Sequence, residues 1–443
     1  MKKFYIIFFL VNLLLSSWFL DTWNNANTTS RALPVVSWFE DGTLRIDKYH
    51  ELTPDKAKIN GHYYTDKAPL PTLITIPFYG LIKSLGWLDE TNQDVPGKEV
   101  YILGSFLFGS LIFSLLLLLT LLNIPKNIPS TTPTILVMMP YYGSFIFVYS
   151  GTFYAHLMSS FLILLGYLMI RKKQYVWAGV FSGLAFLNEY TLALFFPVWA
   201  LQIWIQEKTF FKGFLFGLGT LPAVIFIGIY NNIFTGSPFE MLYKYHTFQF
   251  LHENYGFRLP SLESVWGLTF SNFKGLFFYA PFLVLFFVVL IRKFLWQNFS
   301  RHYLTWISVI FFLVIASYDV WWGGWCYGPR LLFPVAVLLV FEGILQLSEI
   351  RFSKTLFWIL TGFGLAGAFL AKITIVYSIP SSASNPFFDT IFPNIRLGNF
   401  NPNNLMTMIF GVDPLISGIL WLCIFIFSII GLNQLHRKTA SPH

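Results

Sequence analysis

Two short pairs of a carboxylate and an ammonium lie close together in the first third of the chain. Asp55-Lys56 and Asp66-Lys67 flank the aromatic pair Tyr63-Tyr64, and Asp47 precedes them. A carboxylate beside an ammonium near a region of low dielectric constant can accept a proton and bind an anion. The alternative is a solvated loop that only carries charge. The candidate substrate-binding residues in this stretch are Lys67, Lys56 and Tyr64.

A second stretch, SYDVWWGGWCYGPR at residues 317–330, combines glycines that break a helix with aromatic rings and one arginine. Trp325 and Tyr327 supply rings that can stack on the apolar faces of sugars. Arg330 is either an interfacial anchor whose side chain snorkels to lipid headgroups or a guanidinium that binds a lipid-linked phosphate. The second alternative predicts that Trp325, Tyr327 and Arg330 all bind substrate.

Glu189 and His156 are isolated polar residues next to apolar runs. Glu189 lies within FSGLAFLNEYTLALFFP, where a carboxylate inside a membrane is costly and indicates function. Alternatively, it sits at the outer interface, where a helix breaks. His156 follows a Ser-Gly-Thr turn and is either structural or, like Glu189, substrate-binding. The histidine spacing matches no established zinc site, so no metal site is predicted.

The elements that position these residues must be membrane helices. The 443 residues are 55% hydrophobic and only 11% charged, against about 25% charged in a soluble domain. The net charge of +8 does not indicate nucleic-acid binding, because the basic residues are scattered at helix ends. The two cysteines predict neither a disulfide nor a metal site.

Hydropathy predicts about 11–12 transmembrane helices in an all-α polytopic membrane protein with one domain, residues 1–443. The pair 175–206 is either two short spans or one bent helix. The predicted spans are 3–20, 101–122, 132–149, 153–170, 175–189, 190–206, 211–232, 275–291, 302–317, 331–348, 355–377 and 414–433.

The distribution of lysine and arginine predicts a cytoplasmic N-terminus and a multi-pass protein of the bacterial inner membrane. This orientation requires that residues 69–86 do not cross, so we interpret them as an amphipathic helix at the outer interface. The predicted outer segments are 21–100, which holds the interface helices, and 233–274, 318–330 and 378–413. Nearly all the polar chemistry falls there. The short basic inner loops have no glycine-rich phosphate motif.

Residues 29–70, TSRALPVVSWFEDGTLRID followed by YHELTPDKAKINGHYYTDKAPL, resemble the first outer loop of GT-C-type membrane glycosyltransferases. The related branches are the bacterial protein O-mannosyltransferases and the aminoarabinose transferases of lipid A. Two later stretches fit the same resemblance: NNIFTGSPFEMLY with FSNFKGLFFYAP, and WWGGWCYGPRLLFP. The resemblance covers about residues 28–335.

The resemblance implies transfer of a sugar from a polyprenyl-phosphate donor to a glycan, lipid or protein acceptor on the non-cytoplasmic face. It implies lipid and no nucleic acid as further partners. No cofactor is predicted, and the need for a divalent metal stays open. The family's Asp-Glu pair after the first span is missing at the matching residues 27–31. The predicted catalytic base is therefore another loop carboxylate, with Asp55 and Asp47 ahead of Asp66.

Two other functions remain open. A multi-pass transporter suits the number of helices, with Glu189 as a proton relay. However, no repeat relates the two halves of the chain. A ligase or polymerase of lipid-linked glycans would use the same donor and differ only in its acceptor.

Overall fold

The computed structural model describes residues 2–22, 25–86, 97–125, 133–248, 256–296, 302–347 and 353–440. Residues 23–24, 87–96 and 249–255 of the predicted outer segments lie outside this described part, as do residue 132 of the predicted span 132–149 and residue 348 of the predicted span 331–348. The described residues are mostly helical.

The helices and strands alternate with short 3-10 and π-helical turns. In chain order they are α1 (Lys2–Ser17), α2 (Ala26–Asp41), β1 (Lys56–Ile59), β2 (His62–Thr65), α3 (Leu70–Ser84), α4 (Lys98–Gly104), α5 (Leu111–Asn123), α6 (Pro133–Tyr142), α7 (Phe145–Val148), α8 (His156–Arg171), α9 (Tyr175–Asn188), α10 (Phe195–Glu207), α11 (Phe210–Thr235), α12 (Leu262–Thr269), α13 (Leu276–Tyr279), α14 (Leu283–Trp296), α15 (Tyr303–Ala316), α16 (Phe333–Gln346), α17 (Lys354–Thr374), α18 (Phe392–Arg396), α19 (Leu405–Phe410) and α20 (Pro414–Ala440).

Four helical stretches in the described residues are long and apolar enough to cross a membrane: α4 continued through α5, α11, α17 and α20. The helices α8, α9 and α15 are apolar but shorter. Most of these helices coincide with apolar runs in the sequence. An apolar segment in lipid forms a helix because its backbone groups can then hydrogen-bond to one another. The architecture is compatible with the predicted all-α membrane protein.

A two-stranded antiparallel hairpin is the exception to the all-α prediction. Strands β1 and β2 pair in the register Lys56↔Thr65 to Ile59↔His62, and Asn60-Gly61 forms the turn. Both turn residues have positive φ, 50° and 85°, which Asn-Gly tolerates well. Ala57, Ile59 and Tyr64 pack against the ends of α9 and α11. We call the end of the helix bundle that carries this hairpin the hairpin end.

Helices α8, α9 and α11 form a closely packed group that supports the hairpin end. A Cβ on Gly179 of α9 would collide with the carbonyl oxygen of Phe216 in α11, so only glycine permits this approach. Helix α8 begins at the hairpin end with His156, and α9 returns to it at Asn188. Glu189 therefore lies close to the start of α8.

Two predicted spans are interrupted or divided, and residues 175–206 contain a break. The span predicted at 132–149 ends as α6 at Tyr142 and resumes as α7, because Gly143 packs backbone to backbone against Gly364 of α17. The span predicted at 275–291 is divided into α13 and α14. Residues 175–206 form two helices, α9 and α10, which are separated by Glu189 and a 3-10 turn.

Candidate functional site

Lys67 joins two carboxylates at the open end of the hairpin. Asp55 precedes β1 and Asp66-Lys67 follow β2, so the antiparallel pairing of Lys56 with Thr65 places them side by side. The Nζ atom of Lys67 lies 2.8 Å from Asp55 Oδ2 and 2.7 Å from Asp66 Oδ2. The side chain of Asp66 is fully buried, while those of Lys67 and Asp55 are 15% and 20% exposed. The three residues form one ionic unit.

The charged groups of this unit shift each other's pKa values. Burial raises the pKa of Asp55, but Lys67, with smaller effects from His246 and Arg330, outweighs burial and holds that pKa below its ordinary value. Burial lowers the pKa of Lys67, but Asp55 and Asp66 outweigh it and raise that pKa. Asp55 is therefore ionised and Lys67 protonated at neutral pH.

The oxygens of Asp66 are held by residues from two other segments. Ser30 Oγ, on α2, donates a hydrogen bond of 3.1 Å to Asp66 Oδ1. His246 Nε2 lies 3.6 Å from Asp66 Oδ2, and a β-bridge between Ala57 and His246 fixes that histidine. Both oxygens of Asp66 are thus engaged. Among the described residues, only Lys67 makes a polar contact with the side chain of Asp55.

Two arginines lie beside the ionic unit. Arg31 of α2 is 4% exposed, and its Nη1 donates 2.9 Å to the carbonyl oxygen of Asn27, whereas its Nε has no hydrogen-bond partner in the described structure. Burial lowers the pKa of Arg31, while the carboxylates of Glu189 and Asp66 raise it. Arg31 therefore lies near both carboxylates.

Arg330 approaches the same unit from the segment 318–330. Its guanidinium carbon lies 5.2 Å from the centre of the Tyr154 ring, and its buried Nε lacks a hydrogen-bond partner among the described residues. The charge of Arg330 contributes to the lowered pKa of Asp55. Within the described ranges, neither Arg31 nor Arg330 forms an ion pair with a carboxylate, although a buried guanidinium normally requires one.

Glu189 and His156 form a pair at the break between α9 and α10. His156 Nδ1 and Glu189 Oε1 are 3.0 Å apart. The imidazole is stacked between the rings of Tyr154 and Phe333. His156 Nε2 and Glu189 Oε2 are buried and have no hydrogen-bond partner in the part of the chain that is described. The structure thus places Glu189 at a helix break, between α9 and a 3-10 turn.

The structure does not bring Asp47 and Lys56 into this group. Asp47 accepts hydrogen bonds from the ring of His62 at 2.7 Å and from the backbone N–H of Tyr63 at 2.6 Å, on the exposed face of the hairpin. Lys56 Nζ donates to the carbonyl oxygen of His50 at 2.7 Å. Side chains alternate along a strand, so Lys56 faces away from the buried residue Ala57, and its ammonium contacts His50 instead of the ionic unit.

The predicted aromatic residues occupy three different environments. Tyr64 is buried where the hairpin meets α11, with its ring 5.1 Å from that of Phe234. Tyr327 is buried with its ring 4.5 Å from that of Tyr279, in an edge-to-face contact. Trp325 is 56% exposed. Of the three, Tyr327 and Trp325 belong to the segment that delivers Arg330.

The sequence interpretation missed Asp21, Ser30, Arg31, Tyr154 and His246. Asp21 follows the end of α1, is 4% exposed, and its Oδ2 accepts a hydrogen bond of 2.6 Å from Tyr377. Its position directly after the first apolar helix was the feature of the sequence that could have identified it as a candidate. Arg31 lies in TSRALP, where the basic residue on an otherwise apolar helix face was a second signal.

The arrangement combines three cations, Arg31, Lys67 and Arg330, with three carboxylates, Asp55, Asp66 and Glu189. The described residues contain no group of three histidine, cysteine or acidic side chains that could hold a metal ion. Such a site can bind an anion through guanidinium and ammonium donors and accept a proton at a carboxylate. Comparison of the chain with family models, curated proteins and solved structures gives no match.

Proposed function

We propose that the protein is a membrane glycosyltransferase that moves a sugar from a polyprenyl-phosphate donor to an acceptor on the non-cytoplasmic face. The observation that carries this proposal is the gathering of three cations, Arg31, Lys67 and Arg330, at the carboxylates of this site. These residues come from separate parts of the chain, and two guanidinium groups are left without carboxylate partners in the described structure. A phosphodiester would supply the anion that they lack.

In the proposed reaction, Asp55 accepts the proton of the acceptor hydroxyl. The acceptor oxygen forms a bond to the anomeric carbon, and the bond from that carbon to the phosphate oxygen breaks with its electron pair. The carrier leaves as polyprenyl phosphate. Asp55 suits the role of base better than Asp66 because both oxygens of Asp66 are engaged. Lys67, Arg31 and Arg330 would stabilise the charge that grows on the leaving phosphate.

An apolar groove supports a lipid-linked donor. The groove has a volume of about 470 Å³, and its lining is made of apolar residues: Phe270, Phe277, Phe278, Pro281, Val284, Leu285, Leu356 and Leu360. Tyr279, next to Phe278, packs against Tyr327, three residues before Arg330. An isoprenoid chain in the groove would therefore lie beside the segment that carries Arg330.

The proposed topology has 11–12 spans with the N-terminus in the cytoplasm of a bacterial inner membrane, and the hairpin end outside. Helix α3 would lie along the outer interface. One face of α3 packs on α2 through Tyr79, whose ring is 5.2 Å from that of Phe39. The opposite face exposes Phe78 and Leu81. An apolar face of this kind can rest in the headgroup region.

The test is lipid analysis of a strain that lacks the gene. We expect a polyprenyl-phosphate sugar to accumulate, detected by liquid chromatography and mass spectrometry. The wild-type gene and Asp47→Asn should remove it, whereas Asp55→Asn and Arg330→Ala should not, at equal membrane levels of protein. A deletion strain with an unchanged pool of lipid-linked sugars would rule out the proposal.

A further inference from the structure

Lys274 is a buried lysine to which the proposed reaction gives no role. It lies between α12 and α13, and its side chain is completely buried. Its Nζ donates to the carbonyl oxygen of Cys326 and lies 3.3 Å from Cys326 Sγ. Among the described residues it has no carboxylate partner. Because a buried ammonium without a counter-ion is destabilising, its presence indicates a function for the charge or for its hydrogen bonds.

The segment that Lys274 contacts has little backbone support of its own. In the described structure, no backbone N–H of residues 324–328 donates to a backbone carbonyl. Side chains from elsewhere hold its carbonyl groups instead. Lys274 binds the carbonyl of Cys326, and the hydroxyl of Tyr149 donates 3.1 Å to that of Tyr327. The conformation of this segment therefore depends on external donors, of which Lys274 is the charged one.

Arg330 closes the same segment. Its side chain folds back over Gly323, so that a Cβ at that glycine would lie 3.1 Å from Arg330 Nε. Gly323 has a φ of +74°, a conformation that glycine tolerates. A displacement of Cys326, midway between the two, would move the turn on which the guanidinium rests.

We propose that Lys274 is a positioning residue: by holding the carbonyl of Cys326 it fixes the turn 323–330 and so places the guanidinium of Arg330 for the donor phosphate. This inference rests on the proposed function, because it assumes that Arg330 binds that phosphate. Lys274 itself does not touch the substrate. Its effect passes through the backbone of Cys326 to Arg330.

The test measures binding of undecaprenyl phosphate to the purified full-length protein in detergent by tryptophan fluorescence. Lys274→Met removes the ammonium at similar length, Lys274→Arg retains a cation, and Lys244→Met changes an exposed lysine as a control. We expect Lys274→Met to weaken binding by about 10-fold to 100-fold, the loss that follows removal of a charged hydrogen bond. Lys274→Arg should restore part of the affinity, and Lys244→Met should bind like the wild type.

The decisive comparison is made in the Arg330→Ala background. If Lys274 acts through Arg330, adding Lys274→Met there should weaken binding by less than about 2-fold, because residues that act as a unit are not additive. A full additional loss, or no loss from Lys274→Met alone, would overturn the inference while leaving the proposed function intact. Unchanged binding in Arg330→Ala alone would overturn both. If Lys274→Met does not fold, Lys274→Gln, which keeps a donor without the charge, is judged by the same criteria.

Discussion

Asp55 Oδ2 lies 2.8 Å from Lys67 Nζ, although twelve positions separate the two residues in the chain. The hairpin creates this contact, since it folds the residue before β1 back onto the residues after β2. The same ammonium also holds Asp66 at 2.7 Å. Lys67 thus connects the proposed base with the buried carboxylate next to it.

Replacing Lys67 by methionine should lower stability more than Asp55→Asn does, and it should also slow transfer. The variant leaves two largely buried carboxylates without their shared cation, and breaking a buried pair costs about 3–5 kcal/mol. It also removes a donor to the leaving phosphate, worth about 100-fold in rate. Thermal unfolding in detergent and the rate of sugar transfer from the lipid donor measure the two effects. Equal melting temperatures for Lys67→Met and the wild type would contradict the buried ion pair.

The ionic unit should make stability nearly independent of pH around neutrality. The pKa of Asp55 is below its ordinary value of 3.8, so its stabilisation is present above that pH and is lost as the pH falls through the lowered pKa. The pKa of Lys67 is above 10.5, so its stabilisation is complete below that pH and is lost as the pH rises through the raised pKa. We expect this unit to keep its full contribution from about pH 5 to about pH 9.

In Lys67→Met, burial should dominate and raise the pKa of Asp55. The acidic limb of the transfer rate should therefore move toward neutral pH. Rates measured from pH 4 to pH 9 in the variant and the wild type decide this point, and superimposable acidic limbs would argue against Asp55 as the base.

Asp47→Asn should have little effect, which separates the two carboxylates that sequence reasoning ranked together. The ion pair between Asp47 and His62 is about 41% exposed on both sides, and exposed pairs contribute about 1 kcal/mol or less. Transfer should stay within about 2-fold of the wild type, because Asp47 lies outside the cation cluster formed by Arg31, Lys67 and Arg330. A loss comparable to that of Asp55→Asn would show that the exposed face of the hairpin binds substrate.

Part of this arrangement could be predicted from the sequence. Hydropathy located most of the apolar helices, since spanning segments are marked by length and composition alone. The hairpin was also readable: KAKI and HYYT flank Asn60-Gly61, a strong signal for a two-residue turn. Recognising it would have brought Asp55 beside Asp66 and Lys67, because antiparallel pairing places the residue before the first strand next to those after the second.

Other features could not be read from the chain. The interruption at Gly143 depends on its backbone contact with Gly364, more than two hundred residues away. The approach of Asp66 and Glu189 to Arg31 arises from tertiary packing, in which α2 lies against the hairpin. Composition and periodicity indicate which secondary structure a segment prefers, whereas these contacts arise from tertiary packing.

Two largely buried glutamates provide a final comparison, because they contact opposite ends of α8. Glu342 is 1% exposed, and its Oε1 accepts hydrogen bonds from Tyr167 at 2.9 Å and Arg171 at 2.7 Å, far along the helix from the hairpin end. Glu189 instead contacts His156 and leaves Oε2 without a partner among the described residues. The two carboxylates therefore differ in how many of their oxygen atoms accept hydrogen bonds from the protein.

Glu342→Gln should therefore lower the melting temperature while leaving the transfer rate per folded molecule unchanged. Glu189→Gln should lower that rate by about 10-fold to 100-fold with a smaller change in melting temperature, since it removes the negative charge that faces Arg31 and orients His156. Both quantities are measured on detergent-purified protein at equal folded concentration. If Glu189→Gln behaves like Glu342→Gln, Glu189 contributes only to the stability of the fold, and the cation cluster acts without it.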